Sequence, residues 1–201
     1  MARLLERDVD PDPLRQFAAW LEEARAAGVF EPEAMALATA TPEGAPSARM
    51  VLLKGFDERG FTFFTNYSSR KAAELEANPQ AALLFHWKEL GRQVRVEGLV
   101  ERIAPDETAA YVRTRGRASQ LGALASPQSR VIGSREELEA RVADVEGRYA
   151  GSDLPVPDDW GGYRLAPQVY ELWQHGEARL HDRLRYTRDD GGAWHIRRLA
   201  P

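Results

Sequence analysis

The chain has 201 residues, 27 Lys and Arg against 31 Asp and Glu, a formal net charge of −4 and no cysteine. With 43% hydrophobic and 29% charged residues it is a globular chain long enough to bury a core, not a disordered one. This composition excludes disulfides, thiolate metal sites and thiol nucleophiles, and the acidic balance argues against an extended nucleic-acid surface. No run of about 18 apolar residues offers a membrane span. The opening "MARLLERDVDPDP" is too charged for a signal peptide, so a cytoplasmic setting is expected.

Asp12-Pro13 reads as a helix start, and Leu14, Phe17, Leu21 and Ala24 recur at helical spacing up to Gly28. Three strands are predicted next, "AMALATA" (34–40), "SARMVLLKGF" (47–56) and "FTFFTN" (61–66), separated by the turn signals "PEGAP" and "DERG". "SSRKAAELEANP" reads as a short helix capped by Ser68 or Ser69 and stopped at Asn78-Pro79. "AALLFHW" and "RQVRVEGLVERI" form a strand pair around residues 88–91, and "PDETAAYVRTR" (105–115) a helix leading into the Gly- and Ser-containing "GRASQLGALASPQS". Ser134 and Glu137 make a capping box for a helix through Leu138, Val142, Val145 and Tyr149. "GSDLPVPDDWGG" reads as a loop. "QVYELWQ" and the hairpin "ARLHDRLRYT", turn "RDDGG", "AWHIRRL" close the chain. Strands outnumber helices and are joined by short connections, which predicts an antiparallel barrel with helices attached, mainly β. Neither G-x-G-x-x-G nor a Walker A sequence occurs.

Several cation clusters stand out on this acidic chain. In "TNYSSRK", Arg70 and Lys71 fall in a first helical turn, where cations oppose the helix dipole unless an anion sits there; a solvated pair is the plain alternative. In "ARMVLLK", alternation puts Arg49 and Val51 on one face of an apolar strand and Met50, Leu52 and Lys54 on the other. Tyr111 and Arg115 lie four residues apart with Ser119 just beyond, a phenol, a guanidinium and a hydroxyl suited to a phosphate. Arg179, His181, Arg183 and Arg185 fall on every second residue, so a strand there would point all four to one side; a wet edge strand is the alternative. The four histidines show no metal-ligand spacing. The five tryptophans read as core or interface aromatics, with Trp173 alternatively flanking a flat ligand.

In order and spacing, "RMVLLK", "FFTNYSSRKAAELEANP", "RQVRVEG", "YVRTRGRASQLGALASPQS" and "ELWQHGEARLHDR", with the closing "RLAP", resemble the pyridoxine/pyridoxamine 5′-phosphate oxidase family from about Asp12 to Pro201. The resemblance implies one FMN-binding split-barrel domain over 1–201, with an N-terminal helical segment (1–28) and C-terminal dimerisation and substrate strands (168–201). It implies a homodimer with FMN at the subunit interface. Such a dimer oxidises pyridoxine 5′-phosphate or pyridoxamine 5′-phosphate to pyridoxal 5′-phosphate by hydride transfer from C4′ to flavin N5, with O2 as acceptor and H2O2 released. The FMN contacts it implies are Arg49, Met50, Val51, Leu52, Leu53, Lys54, Phe64, Thr65, Arg70, Lys71, Gln93, Gln128, Ser129, Trp173 and Arg183. Those for substrate are Lys54, Tyr111, Arg115, Ser119, Arg179, Leu180 and His181, with Arg179 and His181 as catalytic residues against the pyridine ring and His181 a candidate helper for the alcohol proton. No metal, nucleic acid or membrane is implied.

The chain departs from the family pattern at Gly116, Leu124 and His175, and it begins late, so closure over the substrate by an N-terminal arm is not expected. Two other readings are an FMN oxidase of phenazine-pathway type and a non-catalytic flavin- or haem-binding split barrel. The first is expected to lack the combined Tyr111, Arg115, Ser119 and Arg-Leu-His set, and the second a substrate side altogether.

Overall fold

The computed structural model describes residues 3–189 and 191–201. Among these, nine antiparallel strands form one sheet. They are β1 (Ala34–Ala40), β2 (Pro46–Leu52), β3 (Gly55–Asp57), β4 (Gly60–Asn66), β5 (Gln80–Trp87), β6 (Arg92–Arg102), β7 (Trp160–Gln174), β8 (Asp182–Arg188) and β9 (Trp194–Arg198). Helix α1 (Pro13–Ala26) precedes the sheet, α2 (Arg70–Ala77) follows β4, and α3 (Pro105–Thr114), α4 (Arg117–Ala125) and α5 (Arg135–Arg148) intervene between β6 and β7.

The sheet runs β2-β1-β5-β6-β7-β4-β3, with β8 beside β7 and β9 beside β8. Its two ends, β2 and β3, are separated in the chain only by Leu53 and Lys54, so the sheet must curl until they meet. No ladder joins β2 to β4; the barrel is closed by covalent connection and side chains, which makes it a split barrel, as expected. Strand β7 ties the parts together. It pairs with β6 along its length, with β4 through its first half and with β8 through its second. A bulge at Glu97/Gly98 changes the register midway, and a Cβ on Gly98 would lie 1.9 Å from the Ala166 carbonyl oxygen, so only glycine fits.

Burial follows the hydrophobic periodicity. The predicted stripe of α1 buries Phe17, Leu21 and Ala24, and Phe17 sits 4.8–5.1 Å from the rings of Phe56, Phe61 and Phe85. A second, small cluster of Leu121, Ala125 and Val145 joins α4 to α5 apart from the barrel core.

Three expectations are corrected. The strand predicted over 47–56 breaks at Leu53-Lys54, where the Leu53 amide bonds the Glu33 carbonyl and the Lys54 amide turns to Thr62. Strand β2 lies at one end of the sheet order, with Met50 64% and Leu52 37% exposed. The Gly- and Ser-containing stretch after Arg115, for which no element is predicted, forms helix α4, and β7 begins at Trp160 rather than near Gln168. The one-sided cationic row breaks as well. Arg183 and Arg185 share the outward face of β8, but Arg179 and His181 precede it in a tight turn. Ala178 and Arg179 have φ of 53° and 64° there, which ends any extended alternation. Strands β8 and β9 pair as the expected hairpin, and Asp190 of the connecting "RDDGG" lies outside the described residues.

Candidate functional site

Strands β2 and β4, the start of α2, and the α3–α4 corner surround a hollow of about 460 Å³. From β2 and its exit come Arg49, Met50, Val51, Leu52 and Lys54; from β4 and α2 come Phe64, Thr65 and Lys71. The helical excursion adds Tyr111, Arg115, Ser119 and Gln128. Four cations drawn from three distant segments thus share one hollow, and among the described residues no Asp or Glu lines it.

Its cations differ in how they are compensated. Arg49 is neutralised: Glu74 on α2 accepts from its Nη2 at 3.2 Å, from Ser47 and Thr39 hydroxyls at 2.5 Å each, and from Arg70 Nε at 2.8 Å. Burial pushes the Glu74 carboxyl up, yet those four hydrogen bonds outweigh it and hold the group at about 2. A carboxyl depressed in this way stabilises the fold above its ordinary value of 4.5, and that contribution is lost as pH falls from there through about 2. Glu74→Gln is therefore expected to cost about 2–3 kcal/mol at pH 7 and to flatten the acid limb of a urea-denaturation pH series.

Lys71 has no such partner. Its Nζ, on a residue only 9% exposed, donates to Gln128 Oε1 at 2.7 Å, Thr65 Oγ1 at 2.9 Å and Ser69 Oγ at 3.3 Å, all neutral. Burial, and after it the Arg49 charge, pushes the amine down to about 8. Ser69 is the N-cap of α2 but makes no side-chain cap bond. Across the hollow, Arg115 Nη1 is buried without a hydrogen-bond partner, and its guanidinium carbon lies 4.5 Å above the Trp160 ring. Trp160 is stacked nearly parallel with Phe64 and Tyr111, at interplanar angles of 13° and 9°. An under-compensated buried ammonium and an orphaned guanidinium nitrogen around an acid-free hollow form a donor set for anions, and phosphate monoesters fit it.

The remaining predicted residues lie elsewhere in the single chain. Gln93, Trp173 and Arg183 line a smaller hollow of about 190 Å³. There the buried Glu171 carboxylate accepts from Arg183 Nε at 2.8 Å and Arg95 Nη2 at 2.7 Å. His181 stands beside it, its ring 4.7 Å from Trp173. The Gly176 amide donates to His181 Nδ1 at 3.1 Å, so the neutral imidazole carries its proton on Nε2 and presents a donor rather than a base. Arg179 and Leu180 are exposed in the same turn. Leu53 is buried in the core, Arg70 is mostly exposed and paired with Glu74, and Ser129 is exposed next to Gln128 with a φ of 68°. Trp160 was missed by the sequence reading; the signal for it was the Gly161-Gly162 pair that follows. Those glycines leave room for Tyr67 and Ile103, whose side chains would lie 2.2 and 2.4 Å from added Cβ atoms.

Comparisons with known proteins identify the family. Residues 21–149 match the family model described as pyridoxamine 5′-phosphate oxidase, and residues 160–201 match the pyridoxine 5′-phosphate oxidase C-terminal dimerisation region. The chain is 60% identical, over 100% of its length and 92% of the relative's, to the pyridoxine/pyridoxamine 5′-phosphate oxidase of Rubrobacter xylanophilus. It is 58% identical to pyridoxine/pyridoxamine 5′-phosphate oxidase 1 of Ralstonia nicotianae, over 96% of this chain and 91% of that one. Among solved structures, PhzG from Burkholderia lata, in complex with tetrahydrophenazine-1-carboxylic acid, superposes with a TM-score of 0.92 at 36% identity over 98% of each chain. A pyridoxamine 5′-phosphate oxidase-related, FMN binding protein from Nostoc punctiforme shares the fold, with a TM-score of 0.74 at 21% identity over 94% of this chain and 98% of that one. By its two matched segments, its near full-length relatives and its split barrel, this chain belongs to the pyridoxamine 5′-phosphate oxidase family.

Proposed function

We propose that the protein is an FMN-dependent oxidase that converts pyridoxine 5′-phosphate and pyridoxamine 5′-phosphate to pyridoxal 5′-phosphate. The observation that carries this reading is the acid-free hollow in which Lys71 and Arg115, both lacking anionic partners, face a common space. Two separate cation centres suit two phosphoryl groups, one on the cofactor and one on the substrate. The cofactor is FMN, with Lys71, Thr65 and Gln128 as its phosphate-side donors. When bound, FMN supplies the two-electron oxidation of the substrate's C4′ carbon and its own reoxidation by O2, with H2O2 as product.

The chain's own residues bind, orient and exclude water. Arg115, Tyr111 and Ser119, with Lys54 at the rim, receive the substrate phosphate. Arg179 and His181 belong to a rigid turn: a Cβ at Gly176 would meet the Leu180 carbonyl oxygen at 2.0 Å, and the Gly176 amide fixes the His181 ring. In this role His181 donates from Nε2 to a pyridine substituent, which replaces the expectation that it takes the alcohol proton. Orientation of the reacting carbon is then its contribution. Glu171 holds Arg183 for the flavin side through the 2.8 Å ion pair.

A homodimer belongs to the same proposal. The exposed Met50 and Leu52 of edge strand β2, and the separation of the Trp173 hollow from the basic hollow, are what a second copy would remedy.

The likeness to PhzG favours one other reading, oxidation of a reduced phenazine precursor. Oxygen uptake and peroxide release by the flavin-loaded protein separate the two. Pyridoxine 5′-phosphate is expected to support turnover with stoichiometric pyridoxal 5′-phosphate; uptake with a dihydrophenazine carboxylate alone would replace the B6 reading.

A further inference from the structure

We infer that Trp160 is a positioning residue for the substrate phosphate, acting by holding the Arg115 guanidinium against its indole face; this rests on the oxidase reading above. Arg115 closes α3 as its C-cap, and among the described residues its buried Nη1 has no hydrogen-bond partner. What fixes it is the ring 4.5 Å beneath its guanidinium carbon. Trp160 is itself immobile: it is 7% exposed, it pairs with Asn66 as the first residue of β7, and it stacks on Phe64 and Tyr111.

The choice of an aromatic support has a chemical consequence. A carboxylate would hold the guanidinium equally well, as Glu74 holds Arg49, but it would neutralise the charge and occupy the N–H donors. An aromatic face attracts the cation through its quadrupole and leaves the N–H edge free for an incoming oxyanion. The orphaned Nη1 is the donor left over by that arrangement. Trp160 thereby keeps Arg115 both ordered and uncompensated, which favours a phosphate monoester over an unphosphorylated pyridine.

The test uses flavin-loaded protein, with pyridoxine 5′-phosphate as substrate and inorganic phosphate as competitor. Trp160→Leu is expected to raise both the KM and the phosphate inhibition constant about tenfold, with kcat falling less than about threefold. Trp160→Phe, which keeps the stack but offers a smaller face, should raise both constants about threefold, and it decides the matter should the leucine variant not fold. Combined with Arg115→Ala, Trp160→Leu should add nothing, because both act on one interaction. Unchanged phosphate constants, a fall in kcat alone, or multiplying effects in the double variant would overturn the assignment. If the unaltered enzyme left the B6 phosphate untouched, the functional proposal would fail instead. Calorimetric titration of inorganic phosphate into the same variants would still decide the role of Trp160, a parallel loss of affinity supporting it and equal affinities refuting it.

Discussion

Arg115→Ala is expected to raise the KM for pyridoxine 5′-phosphate by about two orders of magnitude, while flavin content stays near that of the unaltered protein. Among the described residues lining the hollow, the Arg115 guanidinium alone has a buried nitrogen without a partner, so its phosphate bond replaces no existing hydrogen bond. Charge-assisted hydrogen bonds of this kind contribute about 1.5–3 kcal/mol each, and a guanidinium offers two in parallel. Arg115→Lys should recover only a small part of the loss, because an ammonium reproduces neither the fork nor the seat on Trp160. Steady-state kinetics beside a visible-absorbance flavin count measures both quantities. A variant that lost flavin in proportion to activity would assign Arg115 to the cofactor side instead.

Lys71→Met should act on the other phosphate. FMN affinity is expected to fall about 10- to 100-fold, with turnover per bound flavin largely retained. Arg179→Ala and His181→Ala should show the opposite division, losing turnover far more than flavin. Equal flavin loss in all three would contradict it. The sign of the pH dependence follows from the depressed amine. FMN affinity should be level between about pH 6, where a phosphate monoester gains its second charge, and pH 8, then decline as the free protein's Lys71 deprotonates. The flavin-free chain behaves inversely. A lysine at about 8 in the fold and at its ordinary 10.5 when unfolded makes the free protein more stable as pH rises between those values, and bound FMN removes that gain.

Local patterns located most elements because local and tertiary preferences agreed. "AMALATA", bounded by turn residues on both sides, is β1 residue for residue, and the Ser134 cap of α5 accepts from the Glu137 amide at 3.2 Å as the motif requires. The capping box is incomplete, since Glu137 returns its bond to Gly133 instead of Ser134. Where the reading failed, distant contacts had overruled propensity. Helix α4 carries Gly122 and has Gly116 as its N-cap, neither of which signals a helix, but Leu121 and Ala125 gain their burial from Val145 of α5. The double glycine in "WGGY" hid the first half of β7 for a similar reason. Arg179 and His181 failed as a strand row because left-handed φ values at Ala178 and Arg179 have no sequence signature.

Legibility of the site divides along the same line. Spacing within β2 and around Arg70-Lys71 placed cations on defined faces, and Tyr111 and Arg115 do share a hollow although Arg115 has already left the helix. Which cations are free to bind an anion was not readable. That depends on Glu74 reaching Arg49 from another element and on nothing acidic reaching Lys71 or Arg115, a matter of tertiary placement alone.

Titration of the flavin-free protein with FMN and with riboflavin tests most directly whether the basic hollow is a phosphate-recognising flavin site. The two ligands share the ring system and differ in the phosphate that Lys71 is proposed to receive. FMN should bind at least about a hundredfold more tightly than riboflavin, and Lys71→Met should shrink that ratio by lowering FMN affinity alone. Equal affinities for the two flavins, or an equal loss of both in Lys71→Met, would contradict it.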